Sequence, residues 1–381
     1  MTTTPLPPLT CDIFCRVVDN YGDIGVAWRL ARQLAGEQGA TVRLIVGDLA
    51  SFHKLVPRVR PGLPEQAVDG VTVVAWSEPF TPATFSEPAE LVVEAFACEL
   101  PGAYLEQMVH RAPGPVWINL EYLSAEAWVA EHHLLPSPHP FLPLTRFFFF
   151  PGFTAATGGL IREKDLFARR DLIAMRNAET DLRVLVFGYD HAPAEALFSA
   201  MAQTGKSVIC QVAEGGLSAK LQHWQASQAN NAPEAAPMLA FQAIPFVPQA
   251  EFDALLWQHD ILFVRGEDSF VRAQWAAKPF VWQAYPQSDR AHLVKMNAFL
   301  DLYCDGLSAA AENAVRELWQ SWNDPLPDAV GPAWAQFIAQ LPALNAHARR
   351  WSKHLSESPD LAANLLKFYR KNAKIQGFAV V

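Results

Sequence analysis

Short apolar runs alternate with longer segments of helical periodicity through the first part of the chain. The runs are rich in β-branched or aromatic residues and are bounded by Gly, Pro or Asp. Uninterrupted apolar runs are what a parallel sheet requires when both of its faces are covered. The pattern therefore predicts an α/β domain with strands at 11–18, 41–46, 71–76, 91–96 and 116–120.

The same pattern starts again after residues 151–165, which are rich in structure-breaking residues and predict a hinge between two domains. Beyond about residue 308 the pattern is helical only, and it ends in an amphipathic segment at 361–370. Between residue 165 and about residue 308, further strands are predicted at 182–187, 207–212, 238–243, 261–264 and 280–282.

A length of 381 residues suits two domains of roughly 150 to 200 residues each. The predicted fold class is α/β of GT-B type, in which two Rossmann-like domains face each other across a cleft, followed by a helical tail. We predict an acceptor-binding domain at 1–162, a nucleotide-sugar domain at 163–350, and a C-terminal helix at 351–381 that packs back on the first domain. Paired Rossmann-like domains also occur in epimerases and binding proteins, so the layout alone does not establish function.

Charge and cysteine usage exclude several classes of protein. A formal net charge of −9 argues against a nucleic-acid binder, which needs a basic face. The five cysteines are scattered without a Cys-x-x-Cys pair, which indicates neither a disulfide framework nor a zinc site and fits a reducing cytoplasm. Neither a signal peptide nor a membrane-spanning run is evident, so we expect a cytoplasmic protein that does not engage a membrane.

One candidate site begins at Arg265, where a predicted strand runs directly into a helix start. Such a turn directs several backbone N–H groups and the positive end of the helix dipole at one point, where a phosphate can bind. We assign anion binding to the N–H groups of Asp268 and Ser269 with the Ser269 hydroxyl, and we leave Glu267 to face the sugar or ribose. The alternative is a capping box in which Asp268 or Ser269 merely starts the helix.

A second candidate site follows the first predicted strand. Asp19 and Asp23 lie four residues apart around a turn that contains Gly22 and precedes a helix predicted from Val26. Two carboxylates at the carboxyl end of a strand can serve as a base and as its electrostatic partner. The alternative is that Asp19 or Asn20 only caps the helix or shapes the turn.

Two further segments could contact a nucleotide. Tyr189 follows a strand and Gly188, where its hydroxyl could donate to a phosphate oxygen, although a core tyrosine is an equal alternative. Residues 244–249 are a rigid extended piece that could present backbone groups to a base edge, with Phe246 or Phe252 alongside. A loop with a buried Phe is the alternative.

No metal or cofactor is expected. The sequence contains no Asp-x-Asp pair, the usual means by which a glycosyltransferase holds a divalent cation against a diphosphate. His132, His133 and His139 stand among prolines in no helical register and are interpreted as exposed loop histidines.

Seven short segments, taken together and in order, resemble the bacterial protein-arginine rhamnosyltransferases that modify translation elongation factor P, the EarP family. The resemblance spans nearly the whole chain. The segments are Asp19-Asn-Tyr-Gly-Asp-Ile-Gly25, Phe96-Ala-Cys-Glu-Leu-Pro101, Asn119-Leu-Glu-Tyr-Leu-Ser-Ala-Glu126, Gly158-Gly-Leu-Ile-Arg162, Phe187-Gly-Tyr189, Ile244-Pro-Phe-Val-Pro-Gln249 and Arg265-Gly-Glu-Asp-Ser-Phe-Val-Arg-Ala-Gln274.

The resemblance implies an inverting, metal-independent enzyme that moves rhamnose from dTDP-β-L-rhamnose to an arginine of elongation factor P. That modification would activate the factor for rescue of polyproline-stalled ribosomes. The resemblance also implies Asp23 as general base, Asp19 as its companion carboxylate and Glu267 as a third acidic residue needed for activity. The donor-binding residues that we assign are Asn20, Tyr21, Gly22, Phe187, Tyr189, Phe246, Gln249, Phe252, Arg265, Asp268 and Ser269.

Two other functions remain open at this stage. One is a GT-B glycosyltransferase with another acceptor, such as a lipid or a small glycoside, although the sequence offers no basic amphipathic stretch for a membrane. The other is a non-catalytic nucleotide-sugar-binding protein. For a folded, acidic protein acceptor, we expect contacts from cationic side chains of the tail, unless these only form a solvated helix face. They are Arg349, Arg350, Lys353, Arg370, Lys371 and Lys374.

Overall fold

Two largely parallel β-sheets organise the chain, one in each of two units. The computed structural model describes residues 8–16, 21–77, 80, 87–174, 181–229, 239–287 and 289–376. The N-terminal unit comprises Met1–Lys164 and Ser356–Val381, and the C-terminal unit comprises Asp165–Leu355. In the described residues, no helix combines the length and apolar character that crossing a membrane requires.

The N-terminal unit is built on an eight-stranded sheet of order β3-β4-β2-β1-β5-β6-β8-β7. The two edge strands, β3 and β7, pair antiparallel, and the other pairs are parallel. Its elements are β1 (Thr10–Cys15), α1 (Gly22–Gln38), β2 (Thr41–Val46), α2 (Leu49–Leu55), β3 (Glu65–Val68), β4 (Val71–Ala75), β5 (Leu91–Ala95), α3 (Gly102–His110), β6 (Val116–Leu120), α4 (Trp128–His132), β7 (Pro136–Pro138), β8 (Thr145–Phe149) and α14 (Leu361–Gln376).

The strand order of this sheet reverses between β1 and β5. From β1 the chain builds β2 and β4 outward on one side, and it then crosses to β5 and β6 on the other side. Ile13 in the centre of β1 faces Leu44 of β2 and Val93 of β5 in register, and all three side chains are fully buried. Ligands of open α/β sheets bind at such a switch point, beyond the carboxyl ends of the strands. The segment that follows β1 therefore occupies a favourable position for a site.

The C-terminal helix α14 completes the core of the N-terminal unit. Leu361, Leu365 and Tyr369 are buried in the same apolar cluster as Trp28 of α1. The helix start is tied to the end of the first chain segment, because Leu361 N donates to Leu160 O over 3.0 Å. The tail thus packs against the unit in which the chain begins.

The C-terminal unit is built on a five-stranded parallel sheet of order β11-β10-β9-β12-β13. Its strand order reverses between β9 and β12, which places a second switch point there. Its elements are α5 (Leu166–Ala174), β9 (Leu182–Val186), α6 (Ala194–Ala202), β10 (Val208–Ala213), α7 (Gly216–Ala229), β11 (Leu239–Ile244), α8 (Gln249–Trp257), β12 (Ile261–Arg265), α9 (Glu267–Ala276), β13 (Phe280–Gln283), α10 (Ala291–Tyr303), α11 (Ala309–Asn323), α12 (Pro327–Ala339) and α13 (Leu341–Ser356).

The boundaries between the units differ from the predicted ones by a few residues. The first falls after residue 164 rather than 162, and the second after 355 rather than 350. The second difference arises because α13 continues to Ser356 and buries Trp351 against Phe299 and Tyr303 of α10. The first strand ends at Cys15 rather than residue 18.

Candidate functional site

Asp23 lies in the first turn of α1, next to the switch point of the N-terminal sheet. The helix begins at Gly22, four residues earlier than predicted, with Tyr21 as its N-cap residue. Asp23 is only 2% exposed. The N–H groups and dipole of a helix N-terminus favour a negative charge in this position. The alternative in which Asp19 or Asn20 only caps the helix or shapes the turn concerns residues outside the described ones.

Two thiols line the same region. Burial raises the pKa of Cys15 well above its ordinary value, and the negative charge of Asp23 raises this pKa further. Burial likewise raises the pKa of Cys98 to about 12. Both thiols are therefore protonated and uncharged at neutral pH, and the Cys15 thiol is the one that feels the charge of Asp23.

A buried polar network lies at the carboxyl ends of β5 and β6, and the sequence reasoning gave it no role. Glu94 is 1% exposed, accepts from Glu99 N at 3.0 Å and lies 3.4 Å from Arg146 Nη1. Asn119 accepts from Ala97 N at 3.1 Å and donates to Glu121 at 2.6 Å. Burial raises the pKa of Glu94 above its ordinary value, although Arg146 opposes the shift. The one signal in the sequence was a glutamate within the apolar run 91–96.

This network supports a strained turn after β5. Phe96, Ala97 and Glu99 adopt φ values of 57°, 51° and 57°, which side-chain-bearing residues rarely adopt. The Phe96 ring also stacks on Tyr122 with a centroid separation of 4.5 Å. Backbone strain of this kind clusters at functional sites. The turn follows β5, the neighbour of β1 across the switch point.

In the C-terminal unit, Gly266 connects β12 to α9 and is the N-cap residue of that helix. It adopts φ 65° and ψ −170°, a conformation that glycine tolerates, and Trp282 Nε1 donates to its carbonyl oxygen over 2.8 Å. Glu267, Asp268 and Ser269 occupy the first helical turn, so the alternative in which Asp268 or Ser269 caps the helix is wrong. A helix N-terminus reached through a glycine is suited to bind an anion.

The side chain of Ser269 is engaged in a different way from the prediction. Its Oγ donates a hydrogen bond to the carbonyl oxygen of Arg265, and the residue is 5% exposed. A phosphate oxygen accepts hydrogen bonds, so the hydroxyl can donate to it only after leaving the Arg265 carbonyl. Glu267 forms an ion pair with Lys295 of α10, with 3.1 Å between Oε1 and Nζ.

Predicted donor-binding residues from separate segments meet at the carboxyl ends of β9 and β12. The Arg265 guanidinium lies 4.8 Å from the centre of the Phe187 ring and 4.6 Å from that of Tyr189. Phe187 also contacts Phe252 edge to face at 5.7 Å. Cation–π contacts of this length attract a guanidinium to the faces of aromatic rings.

Two more of the assigned residues lie at the start of α8 and in the loop before it. Gln249, which is 4% exposed, donates to Asp268 Oδ2 at 2.9 Å and so connects α8 to the first turn of α9. Phe246 precedes α8 and is 44% exposed. The alternative of a buried loop phenylalanine is therefore wrong for this residue.

The three histidines near residue 135 are not all exposed loop residues. His132 ends α4 and is exposed, whereas His133 and His139 are half-buried and accept backbone N–H groups. Burial lowers the pKa of His133 to about 4. Within the described ranges, His, Cys, Asp and Glu side chains form no group of three or more that could hold a metal ion.

Comparison with known proteins identifies the family. A family model described as "Elongation-Factor P (EF-P) rhamnosyltransferase EarP" matches residues 11–370. A protein-arginine rhamnosyltransferase of Pseudomonas putida is 43% identical over 380 residues, which covers 95% of this chain and 99% of the relative. One from Pseudomonas aeruginosa is 41% identical over 374 residues, with 94% and 98% covered.

Comparison with solved structures indicates the same family. A structure concerned with EarP-mediated arginine glycosylation of translation elongation factor EF-P matches with a TM-score of 0.65 at 32% identity and covers 95% of this chain and 99% of that one. MurG of Acinetobacter baumannii matches with a TM-score of 0.54 at 14% identity over 96% and 100% of the two chains, a likeness in fold alone. The predicted α/β class and GT-B type are confirmed. The chain belongs to the EarP family of EF-P rhamnosyltransferases and is a glycosyltransferase.

Proposed function

We propose that this enzyme transfers rhamnose from dTDP-β-L-rhamnose to an arginine side chain of translation elongation factor P, with inversion at the sugar carbon. The names of the family model and of the relatives support the acceptor and the sugar. One observation carries the proposal for this chain. Asp23 is a buried carboxylate at a helix N-terminus beside a sheet switch point, where a ligand is expected.

The acceptor chemistry explains why a carboxylate is needed. A guanidinium has a pKa above about 12 and is a poor nucleophile while protonated. Asp23 can accept a hydrogen bond from the reacting nitrogen, align it, and take its proton as the new C–N bond forms. General-base assistance of this kind contributes roughly 10² to 10⁴ in rate. We assign Asp19 as its companion carboxylate, and Tyr21, Gly22 and Asn20 to the sugar side of the site.

The donor chemistry is assigned to the C-terminal unit. As the bond from the sugar carbon to the diphosphate oxygen breaks, the electron pair leaves with dTDP and negative charge grows on the diphosphate. The N–H groups of Asp268 and Ser269 at the start of α9 can stabilise that charge without a metal ion. The aromatic and amide groups assigned to the nucleoside are Phe187, Tyr189, Phe246, Gln249 and Phe252, with Arg265 beside the first two.

Glu267 is assigned to the sugar. Its ion pair with Lys295 holds the carboxylate at the first position of α9, next to the residues assigned to the diphosphate. From that position it can accept hydrogen bonds from sugar hydroxyl groups.

The decisive experiment is an intact-mass spectrum of elongation factor P after incubation with this enzyme and dTDP-rhamnose. We expect a mass increase of one deoxyhexose on a single arginine. An acceptor in which that arginine is replaced by lysine should stay unmodified. If the folded pair with fresh donor gave no mass increase, the proposed function would be wrong.

A further inference from the structure

Gln283, the last residue of β13, holds two parts of the segment that follows β9. Its side chain is completely buried. Its Oε1 accepts from Tyr189 N at 2.7 Å, and its Nε2 lies 3.1 Å from His191 Nε2. A backbone N–H can only donate, so the amide oxygen must face Tyr189. The amide nitrogen must therefore donate to His191.

This arrangement determines the state of His191. Its Nε2 accepts the hydrogen bond, so the proton of the neutral ring is on Nδ1. Partial burial lowers the pKa of His191, the nearby Lys220 and His292 lower it further, and only Asp190 opposes them. On balance these influences favour the neutral imidazole, the form that accepts the hydrogen bond from Gln283.

Gln283 thereby controls the position of Tyr189 at both its backbone and its ring. The His191 ring stacks on the Tyr189 ring at 5.9 Å, with 13° between the planes. The Arg265 guanidinium lies 4.6 Å from the centre of the same Tyr189 ring. The Gly188 backbone approaches the Gln283 side chain closely, because a Cβ on Gly188 would lie 2.9 Å from Gln283 Oε1. A residue with a side chain at position 188 would push the backbone there away from Gln283.

The strand that carries Gln283 is itself fixed on both sides. Asn323, at the end of α11, donates from Nδ2 to Trp282 O over 2.7 Å and accepts from Ala284 N at 2.9 Å. These hydrogen bonds hold the residues immediately before and after Gln283. Gln283 is therefore held firmly at the end of β13, from where its side chain reaches the backbone of Tyr189.

We propose that Gln283 is a positioning residue for the nucleotide donor, setting the backbone of Tyr189 directly and the plane of its ring through His191. The inference rests on the proposed function, since Tyr189 is assigned to donor binding there. It adds two residues, Gln283 and His191, on which donor affinity depends.

The test is Gln283→Glu, which keeps the shape of the side chain. Near pH 8 the carboxylate still accepts from Tyr189 N, but it faces the lone pair of His191 Nε2 and cannot donate. We expect the Kd for dTDP-rhamnose, measured by calorimetry, and the donor KM to rise about 10-fold, while kcat changes less than about 2-fold. Near pH 6, His191 can take a proton and donate to the carboxylate, so the Kd should return toward the wild-type value.

Two further variants separate positioning from damage to the fold. Gln274→Glu introduces the same change at another buried glutamine of this unit, whose Oε1 accepts from Trp351 Nε1 at 2.5 Å, and it should leave the donor Kd unchanged at both pH values. His191→Phe keeps a flat ring but removes the acceptor. It should raise the donor Kd a few-fold, and in combination with Gln283→Glu it should abolish the recovery near pH 6. His191 is exposed, so this variant carries the test even if Gln283→Glu does not fold.

The outcomes are distinguishable. If the wild-type enzyme does not bind dTDP-rhamnose, the proposed donor is wrong and this inference falls with it. If the wild-type enzyme binds and Gln283→Glu binds equally well at both pH values, only the role of Gln283 is wrong. A loss confined to kcat, or a Kd that does not depend on pH, would also overturn it.

Discussion

Gln249 donates a hydrogen bond from Nε2 to Asp268 Oδ2 over 2.9 Å, which joins the first residue of α8 to the first turn of α9. The two residues are 19 positions apart and were assigned to the donor for separate reasons. The contact indicates that the Asp268 side chain orients the helix start, which agrees with the proposal that the backbone N–H groups, and not this side chain, bind the diphosphate.

We predict that Asp268→Ala weakens dTDP-rhamnose binding about 10-fold, whereas Asp268→Asn stays within about 3-fold of the wild type. Alanine leaves the buried Gln249 amide without its acceptor, a defect that costs about 1–3 kcal/mol. Asparagine retains an acceptor and removes a negative charge beside the diphosphate. Calorimetry of both variants checks the prediction, and equal losses would show that the charge of Asp268 itself is required.

Asp23→Ala should separate turnover from donor binding. Removal of the general base lowers kcat by about 10² or more, while the Kd for dTDP-rhamnose stays within a few-fold. The measurements are steady-state kinetics with elongation factor P and calorimetry with the donor alone. A folded variant that no longer bound the donor would assign Asp23 to the donor site instead.

Activity should not depend on a divalent cation. In the proposed site, the start of α9 supplies backbone N–H groups and the positive end of a helix dipole to the diphosphate, the function that a metal serves in other glycosyltransferases. We therefore expect the same rate with and without EDTA. A rate that fell in EDTA and returned with magnesium or manganese would contradict the proposal.

Because of His259, the stability of the C-terminal unit should decrease as the pH is lowered from about 6.5 toward 4. This residue is completely buried, its Nδ1 lies 2.7 Å from Leu255 O, and burial lowers its pKa to about 4. The unfolded chain, with an ordinary value near 6.5, binds more protons between these two pH values. The stability contributed by the neutral ring is full above about pH 6.5 and is lost as the pH falls toward 4, at up to about 1.4 kcal/mol per pH unit.

His259→Gln should therefore flatten the pH dependence of the thermal unfolding midpoint over this range. His223→Gln, at an exposed position on α7, is the matched control and should follow the wild type. If His259→Gln and the wild type lost stability in parallel, protonation of His259 would not be the cause.

Acceptor recognition should depend on charges of α14. Arg370, Lys371 and Lys374 are exposed on this helix, which packs in the unit that contains Asp23, whereas Arg349, Arg350 and Lys353 are exposed on α13 of the other unit. Because the acceptor is expected to be acidic, reversal of the three α14 charges should raise the KM for elongation factor P several-fold, with the donor KM unchanged. Reversal of the three α13 charges is the matched control, and equal effects would contradict a specific role for α14.

The sequence predicts most of the strands because each core strand is a short, mainly apolar run. Strand β8 was not predicted because prolines flank its aromatic residues. Strand β3 was not predicted because it is a polar strand at the edge of the sheet. The start of α1 was placed four residues late, since Gly22 and Gly25 read as turn residues although the helix includes both.

The sequence predicts those parts of the candidate site whose residues all lie in one short segment of the chain. The α9 start follows from the glycine between a strand and a helix. In contrast, the hydrogen bonds of Gln283 join residues more than 90 positions apart, which no local pattern signals. The polar network around Glu94 was hidden for the same reason, because its partners arrive from three strands.

The return of α14 to the N-terminal unit has a consequence for synthesis on the ribosome. The first 164 residues cannot close their core until Leu361, Leu365 and Tyr369 have been made, whereas the C-terminal unit is complete at residue 355. At about 5 to 20 residues per second, the N-terminal segment waits roughly 10 to 40 s with apolar surface exposed while residues 165–355 are translated. The unit that is encoded first is thus the last to finish folding, and a nascent chain that is released before its final helix leaves exposed the apolar surface that α14 would otherwise cover.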